Sequence, residues 1–176
     1  MTPLQTALVF TRREEGGFVD NPEDHGGATN FGITQATYDR YRGSKGLSLQ
    51  SVRLIADAEV EDIYAQMYWA TAHCQEMPLR LAVCHFDWSV QHGPDGAIQT
   101  LQEALGIEED GVFGPETRAS LQHAEGANFT AFVSDYLELR RTWYRADVAR
   151  DPTQEQFEDD WLGRVDRLAE YIQSLR

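Results

Sequence analysis

Cysteine is scarce in this sequence, with only Cys74 and Cys84 among 176 residues. Two cysteines are too few for the disulfide framework that stabilises small secreted domains. We therefore expect two buried, reduced thiols, although a single bridge between them stays open. No apolar run approaches the roughly 20 residues that a membrane-spanning helix needs. Insertion into a membrane is therefore not expected.

The sequence also contains few positively charged residues. Fifteen Lys and Arg residues face 29 Asp and Glu residues, which gives a formal net charge of −14. Such a surface repels nucleic acid and anionic membranes, so neither is expected as a partner. The first residues lack the basic and apolar regions of a secretory signal. We therefore expect synthesis in the cytoplasm and a separate route to any site outside it.

Motifs for metals and nucleotides are missing as well. A calcium loop counted from Asp20 would need an oxygen ligand at Pro22 and a glycine at His25, so it is excluded. No Gly-Lys-Ser/Thr run forms a phosphate loop. His85 and His92 lack the clustered partners that a zinc site requires. Neither a metal nor another cofactor is therefore expected.

Helical periodicity dominates what is present, in a chain that is 41% hydrophobic and long enough for one domain or two small ones. A stripe at helical spacing contains Val60, Ile63, Tyr64, Met67 and Tyr68. Only residues 16–33 lack such a pattern, and short β-structure is expected there. Further helix boundaries are predicted at Thr2-Pro3, Gly16-Gly17, Pro78, Gly93-Pro94, Gly106, Gly114-Pro115, Asn128 and Asp151-Pro152.

The exception to this periodicity contains the stretch EEGGFVDNPEDHGGATNFGIT, residues 14–34. Glu15 falls on the helical face of Leu4 and Leu8, and partly apolar surroundings make a carboxyl group a candidate general acid. Asp24 lies in a polar, glycine-rich turn where it would stay ionised. Two carboxyl groups in contrasting environments are what glycoside hydrolysis requires. From this chemistry alone, an ordinary acidic loop with turn glycines is the favoured interpretation.

The spacing within this stretch resembles a family signature. The matching residues are Glu15-Gly16-Gly17-Phe18, Pro22, Asp24, Gly26-Gly27, Thr29 and Gly32-Ile33-Thr34. Together they resemble glycoside hydrolase family 108, the N-acetylmuramidases found among phage endolysins. Residues 64–93 are similar to the rest of that catalytic region. Residues 104–117 are similar to the peptidoglycan-binding domain that usually follows it.

The resemblance implies a mainly α, lysozyme-like fold with at most a small β-hairpin near residues 16–33. It implies a catalytic region over residues 1–92 and a peptidoglycan-binding helical region over residues 93–176, with a shared core left open. Glu15, rather than its neighbour Glu14, is then the catalytic acid. By similarity to phage-type lysozymes, Asp24 and Thr29 hold the attacking water. No cofactor is implied.

Aromatic residues downstream are candidates for a saccharide groove, because aromatic faces stack on sugar rings. The candidates are Tyr64, Tyr68, Trp69 and Trp88. Tyr64 and Tyr68 also lie on the apolar helical stripe, which leaves core packing open for at least one of them. Trp69 lies off the centre of that stripe and is the stronger candidate.

The expected protein is thus a monomeric peptidoglycan hydrolase that cleaves the β-1,4 bond between N-acetylmuramic acid and N-acetylglucosamine. The resemblance places it in a phage or prophage, with release to the cell wall by a separate holin. Two alternatives stay open: a lytic transglycosylase, which also works with one Glu, and a non-catalytic wall-binding or secretion-assisting protein.

Overall fold

The computed structural model describes residues 1–19, 28–126 and 128–175. The chain divides into two compact units, Met1–Met67 and Tyr68–Arg176. The described residues form eight α-helices and one small antiparallel sheet, which confirms the predicted mainly α, lysozyme-like class. The predicted division after residue 92 falls inside the second unit and, as a division of roles, stays a prediction.

Helix α1 (Pro3–Glu15) opens the first unit and has the predicted boundaries. Its start is a capping box, in which the side chain of Thr2 accepts a hydrogen bond from the Gln5 backbone and the side chain of Gln5 accepts one from the Thr2 backbone. The helix ends where Gly16 follows Glu15. Its buried face consists of Ala7, Leu8, Phe10 and Thr11.

A short hairpin follows, with strands β1 (Thr29–Asn30) and β2 (Ile33–Thr34). The two residues between the strands, Phe31 and Gly32, have φ angles of 51° and 70°. Two positive φ values in a two-residue loop are typical of a type I′ turn, whose twist matches that of the paired strands. The predicted β-structure is therefore present at the end of the expected segment.

The remaining helices of the first unit are α2 (Gln35–Ser44) and α3 (Asp57–Tyr64). The stripe predicted as one continuous helix changes geometry after Tyr64, because Ala65–Trp69 forms a π-helix. Helical insertions of this kind are found frequently at functional sites. The boundary between the two units falls within this segment.

The described residues of the second unit form a bundle of five α-helices around an apolar core. Its buried side chains include Val83, Phe86, Leu101, Leu121 and Leu168. The predicted boundaries at Gly93-Pro94, Gly106 and Gly114-Pro115 are confirmed. The helices are α4 (Leu79–His92), α5 (Pro94–Leu105), α6 (Pro115–Ala124), α7 (Phe129–Arg150) and α8 (Glu155–Ser174).

A buried ion triad connects three of these helices. Asp87 of α4 accepts hydrogen bonds from Arg140 Nη2 of α7 at 2.9 Å and from Arg164 Nη2 of α8 at 2.7 Å. Burial alone would raise the pKa of Asp87, but the two guanidinium groups outweigh it and lower that pKa. The triad therefore consists of one carboxylate and two cations inside the core.

Cys74 and Cys84 are both free and buried, which confirms the expected pair of reduced thiols. Burial raises the pKa of the Cys84 thiol to about 12 and also raises that of Cys74. Among the described residues, no helix has the length and apolar character required to cross a membrane.

Candidate active site

The carboxylate of Glu15 lies against the turn of the hairpin. Glu15 is half-buried and is the last residue of α1. A Cβ atom built on Gly32 would lie 3.0 Å from Glu15 Oε2 and 3.1 Å from the hydroxyl oxygen of Tyr64. A side chain at residue 32 would therefore have to displace the Glu15 carboxylate or the Tyr64 hydroxyl. The turn therefore brings together the ends of α1 and α3 at one point.

Tyr64 holds this turn through its hydroxyl group. The hydroxyl donates a hydrogen bond of 2.7 Å to the carbonyl oxygen of Phe31. Only 2% of Tyr64 is exposed, so its ring has no free face on which a sugar could stack. We therefore reassign Tyr64 from the predicted saccharide groove to the support of Glu15 and the hairpin.

Phe31 occupies a backbone region that non-glycine residues rarely adopt, and such strain persists only where neighbours enforce it. The guanidinium group of Arg12 lies 4.4 Å from the centroid of the Phe31 ring. The same guanidinium forms an ion pair of 2.5 Å with Asp57 at the start of α3. Arg12, about one helical turn before Glu15, thus connects α1 both to the hairpin and to α3.

The first strand of the hairpin is anchored on both sides. Thr29 is half-buried, and its backbone exchanges hydrogen bonds of 2.9 and 2.8 Å with Val19. The side chain of Asn30 is buried and donates a hydrogen bond of 3.2 Å to the carbonyl oxygen of Val52. These contacts fix the position of Thr29 in the first unit. Asp24 lies outside the described residues, so its catalytic role stays a prediction.

The other aromatic candidates lie in the second unit. Tyr68 and Trp69 are half-buried, and the Trp69 ring lies 5.7 Å from that of Phe86 at an angle of 57°. Both keep exposed surface for a ligand. Trp88 is completely buried, and its indole N–H donates a hydrogen bond of 2.9 Å to the hydroxyl of Thr100. Because it has no exposed surface, Trp88 is reassigned from the predicted groove to the core.

The histidines predicted not to bind zinc have other environments. His85 is completely buried between the hydroxyl of Tyr136 at 2.9 Å and the carbonyl oxygen of Ala72 at 3.0 Å. Burial lowers the pKa of His85 to about 3, so the ring is neutral at physiological pH. Within the part of the chain that the structure describes, no three His, Cys, Asp or Glu side chains are grouped as metal ligands.

Sequence reasoning missed two features of this site. The contact of Gly32 with Glu15 and Tyr64 depends on three elements that are distant in sequence, so spacing alone could not predict it. The contact of Arg12 with Phe31 could not be predicted for the same reason, because the two residues lie in separate elements. A local signal did exist for the turn, because a glycine directly before the β-branched pair Ile33-Thr34 favours a tight hairpin turn.

Comparison with known sequence families finds a match for each of two parts of the chain. Residues 8–93 match glycosyl hydrolase 108. The predicted resemblance is confirmed over these residues, which we call the glycosyl hydrolase 108 region. This region contains Glu15, the hairpin and Tyr64. Residues 96–166 match a family described as a predicted peptidoglycan domain.

A solved structure resembles the whole chain. The structure of Brucella abortus SagA is 27% identical in sequence and gives a TM-score of 0.76. The match covers 97% of this chain and 94% of SagA. Among curated protein sequences there is no match. The glycosyl hydrolase 108 region and the peptidoglycan domain together support a glycoside hydrolase that acts on peptidoglycan.

Proposed function

We propose that this protein is an N-acetylmuramidase that cleaves the β-1,4 bond between N-acetylmuramic acid and N-acetylglucosamine, with Glu15 as the general acid. One observation carries the proposal. The Glu15 carboxylate, inside the glycosyl hydrolase 108 region, lies against a glycine whose replacement by any larger residue would bring a carbon within 3.0 Å of it. A carboxylate held this closely against a strained turn is typical of a preorganised site.

In the proposed reaction, Glu15 donates its proton to the glycosidic oxygen as the bond from that oxygen to the anomeric carbon breaks. A water held by Asp24 and Thr29 attacks the anomeric carbon and gives up a proton to the Asp24 carboxylate, and the new C–O bond removes the positive charge that develops on the sugar. Thr29 lies on strand β1 of the hairpin against whose turn the Glu15 carboxylate lies, which supports a role for Thr29 near Glu15. Tyr64 and Phe31 keep the turn in place while the proton moves.

The proposed substrate and setting rest on the same family relationship. The peptidoglycan match supports glycan strands of the cell wall as the polymer that the protein binds. We propose that Tyr68 and Trp69, which keep exposed surface, stack on its sugar rings. We further propose that the protein acts as a monomer, as a phage-type endolysin that is made in the cytoplasm and reaches the wall after release by a holin.

The test compares two neighbouring carboxyl groups on purified sacculi. We expect Glu15→Gln to abolish the release of soluble fragments and Glu14→Gln to retain most of it. Circular dichroism and thermal unfolding should show that both variants are folded, since Glu15 is half-buried and the exchange keeps its size. Normal lysis by Glu15→Gln would overturn the assignment of the acid.

The products decide the reaction. Hydrolysis leaves reducing N-acetylmuramic acid ends, whereas a lytic transglycosylase leaves 1,6-anhydro ends. We expect reducing ends alone in the mass spectrum of the released muropeptides. Anhydro ends would favour the transglycosylase, and binding to sacculi without any released fragment would favour a non-catalytic wall-binding protein.

A further inference from the structure

Four aromatic side chains with exposed surface lie along one series of ring contacts in the second unit. We call them the aromatic rim: His92 at the end of α4, Trp143 of α7, and Phe157 and Trp161 of α8. His92, Trp143 and Trp161 are half-buried, and 45% of Phe157 is exposed. A series of aromatic rings that reaches solvent at several points is a feature of binding surfaces.

Two buried rings, those of Trp88 and Tyr144, pack against the rim residues. Trp88 lies 5.4 Å from Trp143 in an edge-to-face arrangement, and Tyr144 lies 5.2 Å from Trp161 in a stacked one. Trp88 is completely buried, and Tyr144 is 3% exposed. Phe157 in turn stacks on Trp161 at 5.9 Å. The rim side chains are therefore fixed by packing before any ligand arrives, which lowers the entropy cost of binding.

His92 packs closely against two rings of this series. Its ring stacks on Trp88 at 4.7 Å and meets the edge of Trp143 at 4.2 Å. On its other side lies Gly96, where a Cβ atom would approach the His92 ring to 2.4 Å. The absence of a side chain at residue 96 thus makes room for the imidazole.

Polar groups accompany the rings. Burial lowers the pKa of His92, while the charge of Asp147 acts in the opposite direction. A neutral imidazole can both donate and accept hydrogen bonds. The Asp147 side chain is 23% exposed and pairs with Arg150. Rings with adjacent hydrogen-bonding groups match the two faces of a pyranose sugar, which has an apolar C–H face and hydroxyl or acetamido groups at its edge.

We propose that the aromatic rim is a second saccharide-binding surface, separate from the Glu15 site, and that it takes N-acetylated glycan strands of peptidoglycan. This inference rests on the proposed function for the choice of polymer. Three of the four rim residues, Trp143, Phe157 and Trp161, lie within residues 96–166, which match the peptidoglycan domain. The rim would retain the enzyme on its insoluble substrate between cleavage events.

Charge distinguishes this ligand from a lipid surface. Exposed Trp and Phe side chains also occur where proteins bind membrane interfaces. The formal charge of −14 opposes approach to anionic lipids. Glycan strands contribute neutral N-acetylglucosamine units, so stacking on them does not depend on a basic surface.

The first measurement is cosedimentation of the full chain with purified sacculi on ice, in the Glu15→Gln background. We expect Trp143→Ala to weaken binding about tenfold and the milder Phe157→Ala to weaken it by about threefold or more, as loss of an aromatic contact predicts. Phe132→Ala is the matched control, because Phe132 is a half-buried aromatic of the same helix that stacks at 6.0 Å on Phe129. It should bind like the parent.

A soluble probe gives a second readout. Of the four tryptophans, Trp143 and Trp161 belong to the rim and Trp88 packs against it. Titration with the tetramer of N-acetylglucosamine should therefore shift the intrinsic fluorescence. Trp143→Ala should reduce that shift and weaken the apparent affinity by a similar factor. Because Phe157 is exposed, its variant keeps the test valid if Trp143→Ala fails to fold.

Equal sacculus binding by the parent, Trp143→Ala and Phe157→Ala would overturn the proposal. So would a loss confined to Phe132→Ala, which would place the binding surface at the other end of α7. Retention on vesicles of phosphatidylcholine and phosphatidylglycerol that Phe157→Ala abolishes would overturn it in favour of lipid. Fragment release by the unmodified chain is measured separately, so failure of the rim and failure of the hydrolase assignment give different results.

Discussion

The hydroxyl of Tyr64 donates a hydrogen bond of 2.7 Å to the carbonyl oxygen of Phe31, whose backbone has a positive φ angle. This bond connects the last residue of α3 to the turn on which the Glu15 carboxylate lies. The proposed acid is therefore positioned by a residue that need not touch the substrate. Loss of this positioning should lower activity more than it lowers stability, and matched control variants can show the difference.

Tyr64→Phe removes this hydrogen bond and keeps the ring. We expect kcat on sacculi to fall about tenfold with little change in KM, and stability to fall by about 1 kcal/mol. Tyr41→Phe is the matched control, since it removes a hydrogen bond of 2.9 Å to Asp62 in the same unit. The control should lose similar stability and keep its activity. Equal loss of activity in both variants would contradict a positioning role for Tyr64.

Gly32→Ala tests the close approach of the turn to Glu15. Alanine at a positive φ angle costs about 1 kcal/mol of stability, and its Cβ would also displace the Glu15 carboxylate. Gly46→Ala has the same backbone penalty, because φ is 68° there, but its Cβ meets nothing within 4 Å. We expect both variants to lose similar stability in urea unfolding and only Gly32→Ala to lose most of its activity. Full activity in Gly32→Ala would argue against the proposed site.

Asp87→Asn should be among the most destabilising conservative changes in the second unit. It leaves Arg140 and Arg164 as buried cations without a carboxylate, which costs about 3–5 kcal/mol. Asp166→Asn breaks the pair with Arg141, and Asp166 is 66% exposed, so about 0–1 kcal/mol is expected. Urea unfolding of both variants measures the difference. Similar midpoints would show that the triad adds nothing beyond a surface pair.

Glu76 should contribute stability that depends on pH. Its hydrogen bonds from Arg118, and secondarily from His73, lower its pKa from 4.5 to about 2. A lowered pKa in the folded state means that the contribution is fully present above pH 4.5 and is lost as pH falls through about 2. The difference in melting temperature between the parent and Glu76→Gln should therefore shrink over that window. In an Arg118→Gln background the pH window should narrow, because only the contact with His73 remains to lower the pKa of Glu76.

The two thiols should be inert in the native protein. Cys74 and Cys84 are buried, and the raised pKa of each keeps the thiolate form rare near neutral pH. We expect almost no reaction with a thiol-specific chromogenic reagent until denaturant is added, and then two equivalents per chain. Fast labelling of the folded chain would show that this part of the core opens readily.

The helix boundaries were predictable because they depend on local chemistry. Pro3 and Pro115 begin helices, and Gly16 and Gly106 follow helix ends, as their backbone preferences require. The same local reasoning predicted β-structure before residue 34. In the candidate site, Glu15 and its position at a helix end could be predicted from the sequence.

The remaining features depend on tertiary packing. The periodic stripe that contains Tyr64 and Tyr68 gives no sign that the α-helix becomes a π-helix between them. Trp88 has the same residue type as Trp69, yet only the packed bundle shows that it is completely buried. Likewise, the contact between Gly32 and Glu15 joins residues from separate elements. Periodicity describes one helix at a time and contains no information on its neighbours.

The turn at Phe31 has a consequence for how this chain would respond to directed evolution. Asn-Gly is the pair best suited to a type I′ turn, so a screen for heat resistance alone would favour Asn at residue 31. That exchange would relieve about 1 kcal/mol of backbone strain but would remove the ring beneath the Arg12 guanidinium, at 4.4 Å. Libraries sorted for thermal tolerance and libraries sorted for wall lysis should therefore diverge first at this residue.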